Sequence, residues 1–219
     1  TTNKQKEEKI RKIEIDQTIA KNQQKLIISG IEVYFPYKPY ANQIKYMEKV
    51  IEACQNKSIA GLESPTGTGK TLCLLCASLA YLKHIREKLY EENLNNNSTE
   101  ENNEEEEKEY RQPTIFYTSR THSQLTNVIQ ELTKTCYRPI NSFISSREKL
   151  CVNKDVAKLK GSLINQKCIY LSDRNKCVFY KQVAMKSVGW SSFDGKTLDE
   201  MKEIGIKRKF CPHAFEKDK

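Results

Sequence analysis

The residues best suited to chemistry form one short run, Ser64-Pro65-Thr66-Gly67-Thr68-Gly69-Lys70-Thr71. Gly67 and Gly69 let main chain approach an anion closely. A turn feeding straight into a helix also aims several backbone N–H groups, and the positive end of the helix dipole, at one place. Lys70 is placed to bridge terminal phosphates, and the Thr71 hydroxyl is the expected magnesium ligand. The strict pattern asks for glycine six places before the lysine, and Ser64 stands there instead. The chemistry predicted is binding of a nucleoside triphosphate. Hydrolysis needs in addition an acidic residue that holds magnesium and activates water, and no Asp-Glu pair closing an apolar strand follows the loop.

Cysteines supply the second candidate. Of eight, Cys54, Cys73, Cys76 and Cys136 sit in apolar helical patterns and read as core fillers. Cys151, Cys168, Cys177 and Cys211 fall in a basic stretch with weak periodicity. Four thiolates can close a tetrahedral set, but these lack the Cys-x-x-Cys pairs usual at zinc sites. On spacing alone, unrelated thiols, zinc and an iron–sulfur group all stay open. With no secretory signal at the start of the sequence, a disulfide framework is not expected.

The elements that must position these groups follow from periodicity. Tyr40, Ile44, Met47, Ile51 and Cys54 recur every three or four residues, which predicts one helix. Ser58 to Leu62 reads as the strand before the glycine loop, and Leu72 to Leu89 as the helix after it. Ile115-Phe116-Tyr117 predicts a further strand within Thr114 to Ser119. A helix carrying Leu125, Val128, Ile129 and Leu132 follows it. Residues 1–29 read as an exposed extension of weak helical tendency, and 91–109 as a low-complexity acidic loop that cannot bury enough apolar surface to order itself. A domain boundary is placed after residue 138, where periodicity fades and Lys and Arg become frequent. The fold class expected is α/β, with a mostly parallel sheet in the first domain (30–138) and the cysteines in a small second one (139–219).

Charge adds a partner class. The net charge is +9, yet residues 91–109 hold nine Glu against one Lys, so the remainder carries +17. A body that basic favours a polyanion, nucleic acid first. The longest mainly apolar stretch, Leu72 to Leu82, is too short to cross a bilayer. The chain opens at Thr1 without methionine and reads as a piece of something longer.

The glycine loop with its flanks, Glu63 to Cys76, then Tyr117-Thr-Ser-Arg-Thr-His-Ser-Gln-Leu125, then the four spaced cysteines, resembles the iron–sulfur helicases of superfamily 2, the XPD-like group. The resemblance covers about residues 30–215. It implies a RecA-like motor domain interrupted by a small domain in which Cys151, Cys168, Cys177 and Cys211 hold a 4Fe-4S cluster. It makes Ser64 to Gly69 the nucleotide cradle, Lys70 and Thr71 the contacts to triphosphate and magnesium, and Gln43 the residue that meets adenine. Arg120, Thr121 and His122 match a motif that holds the translocated single strand. The activity implied is ATP-driven 5′ to 3′ unwinding of DNA, on single-stranded and forked substrates, in nuclear genome or telomere maintenance. The rival reading is a zinc-containing nucleic-acid-binding module whose nucleotide loop does not hydrolyse. Gln43 as a plain surface glutamine, Arg120 as a surface ion-pair partner and His122 as a helix cap are the bland alternatives.

Overall fold

A tight hairpin anchors the first part of the chain. Ser29 and Gly30 both take positive φ, 48° and 78°, the backbone that a two-residue turn of matching twist demands. They join β2 (Gln24–Ile28) to β3 (Ile31–Phe35) in antiparallel register, with Ile28 opposite Ile31 and Leu26 opposite Val33. Along β3, Ile31, Val33 and Phe35 turn inward while Glu32 and Tyr34 turn outward, the period of two expected of a half-covered strand. Against this hairpin pack α2 (Ala41–Gln55) and the long α3 (Lys70–Asn96), and α4 (His122–Lys134) lies on α3.

In the computed structural model the residues described are 12–96, 112–184 and 196–217. By internal contacts the chain divides into two units, Thr1–Pro139 and Ile140–Lys219. The architecture is mixed α/β. Within the first unit, β1 (Glu14–Ile15) leads into the short α1 (Gln17–Ala20), and β1 pairs antiparallel with β4 (Tyr137–Arg138). Tyr137 is fully buried, and its hydroxyl accepts from the Tyr34 N–H at 2.9 Å, so one side chain fastens β4 to β3. The core joins Val33, Phe35, Met47, Ile51, Cys76 and Leu132.

The second unit is helical among its described residues. α5 (Arg147–Leu150), α6 (Lys154–Ala157) and α7 (Ser162–Asp173) close a small core of Cys151, Val156 and Ile164, flanked by Leu159, Cys168 and Leu171. α8 (Val178–Ala184), α9 (Leu198–Arg208) and α10 (Pro212–Lys217) follow. Thr197 caps α9 in a reciprocal pair with Glu200, and Lys209 ends it at φ 58°.

Several expectations are corrected. Ser58 to Leu62 and Thr114 to Ser119 form no strand, because a strand exists only through a hydrogen-bonded neighbour and the described residues offer none; Ile59 is fully exposed. Both sheets among the described residues are two-stranded and antiparallel, so the mostly parallel sheet is not formed there. Residues 12–29 are no loose extension, since Ile13, Ala20 and Ile28 are buried and Asp16 caps α1 and pairs with Arg138. Tyr40 is an exposed N-cap, and α2 buries Val50 alongside Met47 and Ile51. The helix after the glycine loop runs on through Asn96, into the segment expected as an acidic loop. The remainder of that loop, and residues 1–11 of the expected extension, lie outside the described residues.

Candidate functional site

The glycine loop sits where an extended segment enters α3, with Lys70 as the first helical residue. Gly67 and Gly69 hold φ of 84° and 77°, a region that side chains with a Cβ strain to enter. These two glycines invert the chain so that it can wrap an anion. Lys70 Nζ donates to the carbonyls of Ser64 at 2.6 Å and Pro65 at 2.7 Å, and the Thr68 hydroxyl donates to Pro65 O at 2.8 Å while bonding Ser64 Oγ. The loop is thus closed by its own polar groups, and its cationic head lies over its mouth. Thr71, half-buried, occupies the first turn of α3.

Gln43 belongs to the same site. Its Oε1 accepts from Tyr40 N–H at 3.0 Å, capping α2, and its Nε2 donates to Thr68 O at 3.0 Å. A cavity of about 10 Å³ between loop and helix is lined by Asn42, Gln43, Tyr46, Ser64, Thr68, Lys70 and Cys73. Sequence reasoning missed Asn42, Tyr46 and Cys73. The signal for Tyr46 was its place three residues after Gln43 on one helix face, off the apolar stripe of Tyr40, Ile44, Met47, Ile51 and Cys54 that marked the helix. Burial pushes the Cys73 thiol up to about 11 and raises Tyr46 as well, so both stand neutral beside the loop. Cys76 and Cys136 are buried and their thiols raised by desolvation, with Cys136 at about 11.

Arg120, Thr121 and His122 are exposed at the start of α4. Thr121, not His122, is the N-cap: its hydroxyl accepts from Gln124 N–H at 3.3 Å, and Gln124 Oε1 accepts from Thr121 N–H at 3.3 Å. The cap places Arg120 just before the helix and His122 as its first residue.

In the second unit, Cys151, Cys168, Cys177 and Cys211 all line one cavity of about 260 Å³. Cys151 ends α5, Cys168 lies within α7, and Cys177 and Cys211 stand just before α8 and α10. Cys211 N–H donates to Phe179 O at 2.9 Å, and Cys177 N–H to Leu171 O at 3.2 Å, which fixes the last two on main chain. Asn153 bridges the set, its Nδ2 donating to Cys177 Sγ and its carbonyl accepting from Cys151 Sγ, both at 3.8 Å. Burial raises Cys151, and raises Cys211 to about 12, with the other thiols of the cavity adding to both. Among the described residues no three Cys, His, Asp or Glu side chains gather tightly enough to hold a metal ion. The sulfurs surround a space and do not converge on a point. Arg147 also lines the cavity, and its Nε is buried without a hydrogen-bond partner.

The DEAD_2 family matches residues 117–219. The chain belongs to the XPD-like helicases. Among its relatives, the regulator of telomere elongation helicase 1 of Homo sapiens is 35% identical over 215 residues, 89% of this chain and 17% of that protein. The Oryza sativa homologue is 34% identical over 213 residues, 87% of this chain and 21% of the relative. The Arabidopsis thaliana homologue reaches 46% over 151 residues, 66% of this chain and 14% of the relative. The chain thus spans about a fifth or less of the length of these helicases.

Proposed function

We propose that this chain is the ATP-binding, cysteine-bearing portion of an ATP-driven DNA helicase that moves 5′ to 3′ and serves telomere or wider genome maintenance in the nucleus. In this reading 30–138 is the first part of a RecA-like motor domain and 139–219 an inserted cluster domain. The observation that carries it is the loop Ser64–Gly69 at the head of α3, with two left-handed glycines and Lys70 folded over its mouth.

When nucleotide enters, Lys70 exchanges the carbonyls of Ser64 and Pro65 for terminal phosphate oxygens, which its charge binds more strongly. Loop N–H groups take the remaining oxygens, and Thr71 offers its hydroxyl to magnesium. Gln43 can meet adenine without releasing its present partners, because its Oε1 keeps a second lone pair and its Nε2 a second hydrogen. Arg120, Thr121 and His122 meet the single strand at the head of α4.

Cys151, Cys168, Cys177 and Cys211 suit a 4Fe-4S cluster. Each ligand sulfur of such a group bonds a different iron, so ligands spread around a cavity fit it better than they fit one ion. The unpaired Arg147 Nε–H beside four thiols adds a donor suited to an anionic occupant. When bound, the group cross-links α5, α7 and the segments before α8 and α10 into one rigid body.

The test is direct. Protein purified without oxygen should be brown, contain iron and bind MgATP, with the affinity for MgATP sharply reduced in Lys70→Ala. A colourless protein carrying one equivalent of zinc would favour a zinc-containing nucleic-acid module instead. The 219-residue chain by itself should bind ATP weakly and not unwind a forked duplex, and robust unwinding would contradict the assignment of this chain as a part of the motor.

A further inference from the structure

Asn153 stands two residues after Cys151 and lines the cysteine cavity, half-buried. Among the described residues of that lining it carries the one side-chain amide. Its Oδ1 accepts from the Asp155 N–H at 3.1 Å, which caps α6, and its Nδ2 donates to Cys177 Sγ at 3.8 Å. A flipped amide would set its NH2 against the Asp155 N–H, donor against donor. The cap therefore decides that the N–H end faces the sulfur. Cys177 has most to gain from such a donor, since it is only half-buried where Cys151 and Cys211 are buried, and it leads into α8 from a turn held by its N–H on Leu171 O at 3.2 Å.

We infer that Asn153 is a positioning residue for the cluster site: its side-chain N–H steadies the Cys177 sulfur as an iron ligand and sets how readily the loaded site accepts an electron from a one-electron donor. The inference deepens the 4Fe-4S reading and rests on it. A cysteine binds iron as thiolate, and a hydrogen bond to an anion is about twice as strong as one between neutral groups. The Nδ2 contact therefore strengthens on ligation. The other contact does not oppose it. The Asn153 carbonyl, which accepts from Cys151 Sγ at 3.8 Å, also accepts from the N–H groups of Val156 at 3.1 Å and Ala157 at 2.8 Å, so it stays satisfied when Cys151 becomes a ligand. On reduction one electron enters, no bond forms or breaks, and part of the added charge falls on the sulfurs. A donor at Cys177 thus stabilises the reduced state and raises the potential. Capping and donation share one side chain here, and residue choice separates them. Ser and Asp cap a helix about as well as Asn, but a serine is too short to reach Cys177 and an aspartate brings a negative charge in place of the N–H.

The experiment loads the whole 219-residue chain and three variants anaerobically with iron and sulfide, then titrates each with dithionite and redox mediators while visible absorbance is followed. Asn153→Ser should keep the iron content and the metal-free melting curve of the wild type. Its one-electron equilibrium should move about three- to tenfold toward the oxidised form, as expected for one net hydrogen bond lost. At 59 mV per tenfold that is a midpoint lower by about 30 to 60 mV. Asn153→Asp should fall further, because a carboxylate then faces a thiolate. Asn153→Ala should combine the fall with a lower metal-free melting temperature, since the cap is lost as well. Loss of iron from Asn153→Asp, with its metal-free melting curve unchanged, would equally bear the inference out, because the cap is kept and only the donor is gone. Wild-type midpoints and iron contents in both Asn153→Ser and Asn153→Asp would reduce Asn153 to a helix cap and overturn the inference alone, leaving the cluster reading in place. A wild-type chain that takes up no iron would overturn the inference and the cluster reading together.

Discussion

The side-chain amide of Gln43 bonds the carbonyl of Thr68 at 3.0 Å, tying the start of α2 to the glycine loop across 25 residues of sequence. A Cβ on the neighbouring Gly69 would sit 3.0 Å from the same Gln43 Nε2, so a larger residue at this left-handed position, φ 77°, would strain the backbone and also press on the strap. The loop is therefore shaped from outside as well as from within.

Removing the strap should loosen the loop and, on the proposed adenine contact, lower selectivity. Gln43→Ala is expected to weaken ATP binding by about three- to tenfold, the worth of about one net hydrogen bond, and to narrow the preference for ATP over GTP. Gln43→Glu should keep the acceptor for Tyr40 N–H yet lose the donor to Thr68 O. Titration with fluorescent ATP and GTP analogues reads both variants. Equal ATP affinity in wild type and Gln43→Ala would remove this residue from the site.

Lys70 has a sharper role. Its two carbonyl bonds are made by a half-buried ammonium, and these are partners that a phosphate oxygen outcompetes. Lys70→Ala should reduce MgATP affinity by about ten- to hundredfold, the range of about 1.5 to 3 kcal/mol for a hydrogen bond to a charged group. Thermal unfolding without nucleotide should barely move, whereas the rise in melting temperature that saturating MgATP gives the wild type should vanish.

What the sequence made legible was set by how local each signal is. The glycine loop, α3 and α4 were readable because glycine conformations and helical periodicity act within a few residues. The expected strands at 58–62 and 114–119 failed because pairing is not local: a β-rich run such as Ile115-Phe116-Tyr117 says nothing about where its partner lies. The role of residues 12–16 was hidden for the same reason, since β1 finds its partner in β4, with Glu14 opposite Arg138 and Ile15 opposite Tyr137, more than a hundred positions away. The cavity shared by the four cysteines could not be read from spacing, because α5, α7, α8 and α10 bring them together through helix packing.

Buried thiols away from the cysteine cavity set an alkaline limit on stability. Burial raises Cys73 and Cys136 from 9.0 to about 11, and Cys76 also rises. In the unfolded chain these thiols ionise near 9, while folded they stay neutral. Their contribution is thus complete below pH 9 and is lost progressively as pH climbs toward 11. Urea midpoints should fall across that window with up to about 1.4 kcal/mol per pH unit for each such thiol. Cys73→Ala should lower the midpoint at pH 8 but flatten the alkaline decline, and an equally steep decline in the variant would exclude Cys73 as a source.

A glycine in the second unit governs the approach of Cys211. A Cβ placed on Gly205 would lie 2.5 Å from Pro212 Cγ, 2.8 Å from Pro212 Cδ and 3.1 Å from Phe210 O, so α9 can pack against the head of α10 only if residue 205 has no side chain. Pro212 has a rigid ring and Phe210 is fully buried, which means neither neighbour can give way cheaply. Gly205 N-terminal to the left-handed Lys209 also supplies the carbonyl that accepts from Phe210 N–H at 3.0 Å, and Phe210 leads directly to Cys211. Gly205→Ala should therefore destabilise the second unit by about 1 to 3 kcal/mol through overpacking, and should displace the Cys211 sulfur from the cavity it shares with Cys151, Cys168 and Cys177. Iron content per chain after anaerobic reconstitution should fall in the same variant, while MgATP affinity, which belongs to the first unit, holds. Full iron loading in Gly205→Ala would show that the α9–α10 contact is not what places Cys211.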